Sequence, residues 1–239
     1  MSLQDKKIGN DNTIALVNKF VESNQRKRKS LLGEIESSVD GIYKLGENLF
    51  NTFDRKEDDW AIGWILQVLK KHKKEFFSID KYNNWFVSDS SCDINYELLQ
   101  LNLLEQNFEE ADRLTSSYLR KLAGKVAEKR GYVFYSEVQN MSGSDLYAID
   151  RLWTVYSQGK FGFSNQAKLL KSVGKRYELL WPKIGWKKNG IWTRYPSAFS
   201  WTIDAPEGHM PLINQLRGVR LMDSILRHPS ISSRHNNCL

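Results

Sequence analysis

The sequence predicts an all-α protein, on three observations. None of the first 181 of its 239 residues is proline, so the strongest helix breaker is missing from most of the chain. Apolar residues in that stretch recur at the 3.6-residue period of a helix. No segment alternates convincingly with the two-residue period of a strand. With 41% hydrophobic residues in 27.8 kDa, the chain can bury a full core as one large or two small domains.

Taken in order, Ile14, Val17, Phe20 and Val21 form one helical stripe, and Ile42, Leu45, Leu49 and Phe50 a second. Trp60, Trp64, Ile65, Val68 and Leu69 mark a third helix that ends in Lys70, Lys71, His72, Lys73 and Lys74. These make an N-terminal helical bundle over residues 1–77. Residues 78–94 are rich in Ser, Asp and Asn and read as a linker. Helices resume at Tyr96–Leu104 and Asn107–Leu122. The latter carries Phe108, Ala111, Leu114, Tyr118 and Leu122 on one face, with Asn107 and Glu110 spaced as a capping box. A short helix over Asp145–Tyr156 is capped by Asp145 or Ser144 and followed by Gly159 and Gly162. Ser164–Ser172 makes the next helix. Leu212–Arg227 is the last, with Pro211 at its N-terminal edge and Leu212, Leu216, Val219 and Ile225 or Leu226 as its core stripe. Residues 95–230 are thus the expected core domain, and 231–239 a C-terminal tail.

Composition narrows the chemistry. No apolar run approaches the roughly 20 residues of a membrane-spanning helix. Two cysteines, Cys92 and Cys238, fit free thiols in a reducing compartment. The polar start MSLQDKKIGN reads as neither a secretory signal nor a transit peptide. There is no Gly-rich phosphate loop, no GxSxG elbow and no HExxH helix. His72, His209, His228 and His235 lack ligand spacing, so no metal site is expected, and His209 reads as a structural hydrogen bonder. Glu109–Glu110 and Asp58–Asp59 sit at helix starts, where they favour the macrodipole. Nothing in these patterns argues for catalysis.

The net charge of +7 implies an anionic partner, and its location is informative. From Lys160 to Arg194 there are nine basic residues against one acid, Glu178. Trp181, Trp186, Trp192 and Trp201, four of the eight tryptophans, lie in or beside that stretch with Tyr195 and Phe199. Gly, Pro and Asn punctuate residues 181–201 as loop and short turns. Clustered rings suit a flat ligand; a basic, aromatic region equally suits stacked bases of a single-stranded nucleic acid. Both readings stay open on these grounds. In the last helix, Asn214, Arg217 and Arg220 step by three along one flank, and paired guanidiniums can hold carboxylates. Arg220 can instead pair with Asp223, and Asp223 with Arg227, as surface ion pairs.

The segments DLYAIDRLW, GKFGFSNQ, LWPKIGWKKNGIWTRYPSAFSW and APEGHMPLINQLRGVRLMDSILRHP carry a resemblance. Over Asn95 to Pro229 the chain resembles the genomes-uncoupled-four family, porphyrin-binding regulators of magnesium chelatase in chlorophyll synthesis. The resemblance implies a helical core shaped like a cupped hand, with the loop from about Trp192 to Met210 as fingers and helix 212–227 in the palm. It implies protoporphyrin IX or Mg-protoporphyrin IX as ligand and no intrinsic cofactor. Tyr195, Phe199, Trp192, Leu212, Tyr135 and Val126 would contact the macrocycle, Arg217 and Arg220 would meet the propionates, and Asn214 would face the metal or an axial water. It further implies a non-enzymatic monomer that stimulates the large porphyrin-binding subunit of the chelatase, with peripheral membrane association and no nucleic acid as partner. A plastid, with the gene plastid-encoded, or a cyanobacterial cytoplasm would fit. The competing function is a basic single-stranded RNA-binding module; a third is a scaffold whose N-terminal bundle docks a partner.

Overall fold

The computed structural model describes residues 3–37, 42–43, 50–51, 53–56, 58–73, 75, 77, 82–88, 90–213 and 219–234. Helices α1 (Leu3–Glu22), α2 (Gln25–Ser37) and α3 (Trp60–His72) come first. Then follow α4 (Glu97–Leu104), α5 (Phe108–Leu122), α6 (Lys125–Arg130) and a 3-10 turn at Tyr135–Asn140. Helices α7 (Gly143–Val155), α8 (Phe163–Ser172) and α9 (Tyr177–Lys183) lead to a small hairpin of β1 (Lys187–Lys188) and β2 (Ile191–Trp192). Helices α10 (Val219–Arg227) and α11 (Pro229–Ser232) follow. The all-α class is right, with the hairpin as its one β element among the described residues.

Helix α3 is the pivot. Every residue from Trp60 to Leu69 is buried, as expected of a helix enclosed on all sides. Phe20 of α1 meets the Trp60 ring edge-on at 6.0 Å. On the other side, Gly63 lets α3 lie directly on α7, since a Cβ there would come within 2.2 Å of the Val155 carbonyl oxygen. Val17 and Phe20 bury as expected, but Ile14 is exposed. Ile42 and Phe50 are buried, while Leu45 and Leu49 lie outside the described residues.

The stretch read as a linker is irregular but packed. Tyr82, Trp85 and Phe86 are buried, Gln100 of α4 holds both the N–H and the carbonyl of Phe86, and Arg151 of α7 donates to the carbonyl of Val87 at 2.7 Å. Ser90 and Ser91 donate to the Asp145 carboxylate. The bundle and the core therefore share one apolar cluster.

Two expected caps differ. Asn107 makes no side-chain cap bond to α5 and instead donates weakly to Glu105, so the capping box does not form. Helix α7 starts at Gly143, with Ser142 accepting from the Asp145 N–H. The Asp145 side chain is occupied by the serines and by Tyr96.

Candidate ligand-binding site

Helix α5 presents one buried acid, Asp112, four residues after Phe108 and three before Thr115, on its inward face. Its carboxylate accepts the Leu212 N–H at 2.6 Å, which anchors the chain where the expected palm begins. Burial pushes the Asp112 carboxyl up to about 7, against the Leu212 bond, with Glu109 pushing the same way. Leu212 itself is half-buried. Asn214 and Arg217 lie outside the described residues, and the described part of the last helix begins at Val219.

The expected fingers have a core of their own. Phe199 stacks on Trp201 at 5.7 Å and lies 5.1 Å from the His209 ring, and Tyr195 meets Phe199 and Trp201 edge-on. Trp201 donates to the Pro196 carbonyl at 3.0 Å. Phe199 is thus buried inside the loop, where a macrocycle would not reach its face, whereas Tyr195 is 48% exposed. Burial raises the Tyr195 hydroxyl pKa, and Asp112 and Glu109 add to it, which places Tyr195 beside α5. His209 is the structural hydrogen bonder expected: its Nδ1 lies 2.6 Å from the Ile184 carbonyl, and burial lowers its pKa. Among the described residues no cluster of His, Cys, Asp or Glu could hold a metal ion.

A second group lies on the 3-10 turn and α10, which pack together. Tyr135 is 48% exposed and the Arg220 guanidinium stands 5.5 Å over its ring. Val219, Phe134 and Val126 are exposed on the neighbouring elements, Val126 at 72%. Exposed apolar side chains and a guanidinium that makes no ion pair among the described residues are what a planar, hydrophobic carboxylate needs. The expected pair between Arg220 and Asp223 does not form: Asp223 accepts from Arg227 at 2.9 Å and from the Tyr177 hydroxyl at 2.9 Å. Arg130, which no sequence pattern singled out, covers Phe134 at 4.1 Å and pairs with Glu137 at 2.6 Å.

Trp192 stands apart on the hairpin, 45% exposed, packed on Trp181 at 5.5 Å and faced by Lys187. The basic residues from Lys160 to Arg194 form no ion pair among the described residues. Their charge is therefore available to a partner.

A GUN4-like family model matches residues 89–229. The chain belongs to the GUN4-like family. It is 36% identical over 224 residues to a Ycf53-like protein of Synechocystis, covering 92% of this chain and 96% of that one. It is 38% identical over 151 residues to the tetrapyrrole-binding protein, chloroplastic, of Arabidopsis thaliana, with 59% of this chain and 57% of the relative covered. The fold resembles the solved structure of GUN4 from Chlamydomonas reinhardtii, with a TM-score of 0.59 and 35% identity over 63% of this chain and 96% of that one. The ligand-free Arabidopsis GUN4 structure gives a TM-score of 0.54 at 38% identity, covering 60% of this chain and 99% of that one. The matched region runs from just before α4 through the end of α10.

Proposed function

We propose that this chain is a non-catalytic tetrapyrrole-binding regulator that takes protoporphyrin IX or Mg-protoporphyrin IX and stimulates magnesium chelatase through its large porphyrin-binding subunit. The observation that carries this reading is the Arg220 guanidinium over the half-exposed Tyr135 ring, with exposed Val219 next to it in the chain, in a family with a relative named for tetrapyrrole binding. A porphyrin is a flat apolar ring with two propionates. A guanidinium held over an aromatic ring keeps its in-plane N–H groups free for a carboxylate. Arg217 and Asn214 join the site on the strength of the family resemblance, as does Tyr195 from the fingers. The division into a bundle over 1–77, a linker over 78–94, a binding core over 95–230 and a tail over 231–239 belongs to the same reading, as do a monomeric state and peripheral membrane association. No described helix is long and apolar enough to cross a membrane. Relatives from Synechocystis, Porphyra purpurea and an Arabidopsis chloroplast support a plastid or cyanobacterial setting.

Titration with protoporphyrin IX tests the reading: tryptophan emission should be quenched at low micromolar concentration, and Arg220→Ala should weaken binding about five- to thirty-fold. Adding the chain to a reconstituted chelatase should speed magnesium insertion. The ion-pair-free basic stretch favours one rival, a single-stranded RNA-binding module. Tighter binding of a single-stranded RNA, with tryptophan emission unmoved by porphyrin, would establish that rival instead.

A further inference from the structure

A cleft of about 660 Å³ lies away from this face. It opens where the N-terminal helices meet the core. Leu32 of α2, Trp64 and Val68 of α3, Leu104 of α4 and Ile203 of the finger loop give it apolar walls. None of them belongs to the expected porphyrin contacts.

Its polar groups are of two kinds. The charges are matched: Lys70 pairs with Glu105 at 3.4 Å and Lys71 with Glu36 at 3.2 Å, so the cleft offers no net charge to an ion. The amides are not matched. Gln67 is 5% exposed and its NH2 donates to the carbonyls of Leu103 at 2.9 Å and Tyr156 at 2.7 Å. Those two bonds fix the amide, and its Oε1 is left buried without a partner. A buried acceptor in that state costs stability that a bound donor would restore. Gln106 and Gln158 also line the cleft, and both hold left-handed backbone, at φ 59° and φ 56°. Glycine would relieve that strain, so glutamine at both positions favours a use for the side chain.

We infer that this cleft is a second binding site, for an uncharged amphipathic small molecule with an apolar body and a hydrogen-bond donor that reaches Gln67. Its volume falls in the range of small-molecule sites, and its walls join α2 and α3 to the core and the finger loop. A ligand there would bridge the N-terminal helices and the binding core.

The probe is N-phenyl-1-naphthylamine, a neutral dye with one N–H that brightens on leaving water. The full chain should bind one equivalent at micromolar concentration. The N-methylated dye, which lacks the donor, should bind about three- to ten-fold more weakly. Leu32→Trp and Ile203→Trp fill the cleft from two different elements without touching its buried amide; each should abolish binding while circular dichroism stays unchanged. Tyr135→Ala should leave dye binding as it is. The assignment is overturned if both tryptophan variants bind like the parent, if methylation has no effect, or if Tyr135→Ala removes binding. The methylation contrast needs no variant, so it decides even if the tryptophan substitutions disturb folding.

Discussion

At the scale of single residues, Asp112 sets a pH dependence. Burial is the largest influence on its carboxyl, and it lifts the pKa from about 3.8 to about 7. Between those values the folded chain holds a proton that the unfolded chain releases, so this contribution is complete below about pH 4 and is lost as pH rises through 7. Asp112→Asn keeps an oxygen for the Leu212 N–H and removes the titration. Between pH 5 and pH 8 the parent should lose up to about 3 kcal/mol that the variant keeps, read as the shift of urea midpoint with pH. The position was legible in the sequence: Phe108, Asp112, Thr115, Leu119 and Leu122 share a face at spacings of four and three. A stripe counted only from apolar residues passes over it. Arg220 was legible as a ligand-facing charge, but not its seat over Tyr135, because 85 residues of chain separate the two.

At the scale of elements, the α3–α7 crossing depends on Gly63. A methyl there would meet the Val155 backbone rather than a side chain that can turn away. Gly63→Ala should therefore destabilise the chain by about 1–3 kcal/mol, with the thermal midpoint falling and the helical signal below it unchanged. Helix α3 itself was plain in the sequence, since its apolar run ends in cations that suit a helix C-terminus. The hairpin went unread although Asn189-Gly190 advertises it: both residues have positive φ, 51° and 79°, the backbone of a tight two-residue turn. Two-residue strands are too short for alternation to show, so only the turn could have signalled them. The stretch read as a linker shows the opposite limit. Polar composition does mark irregular backbone, but Arg55 and Arg151 satisfy its carbonyls at Asn84, Trp85 and Val87, and such long-range partners leave no local pattern.

At the scale of the whole molecule, the segment before α3 and the segment after α11 are joined through one charged cluster. Asp58, just before α3, accepts ion pairs from Arg151 of α7 at 3.1 Å and from Arg234 near the C-terminus at 3.0 Å. Arg234 also pairs with Asp150 at 2.9 Å and lies 4.4 Å over the Tyr147 ring. Asp150 is fully buried, and burial raises its pKa while Arg234 pulls it back. Arg234 is therefore the cation that lets a buried carboxylate and the N-terminal segment coexist on α7, which gives the start of the expected tail a structural duty. Removing one partner of such a pair is far more damaging than removing both. Arg234→Ala should cost about 3–5 kcal/mol in urea unfolding, Asp150→Asn in the same background should recover part of that loss, and a chain ended after Ser233 should behave like Arg234→Ala. If the cluster holds the N-terminal helices against the core, the Arg234→Ala chain should also be cut first by protease between Asp54 and Trp60, ahead of the binding core. Equal cleavage rates in parent and variant at that segment would show that the apolar contacts of α3 and the bonds of Gln67 to Leu103 and Tyr156 hold the two halves together without the cluster.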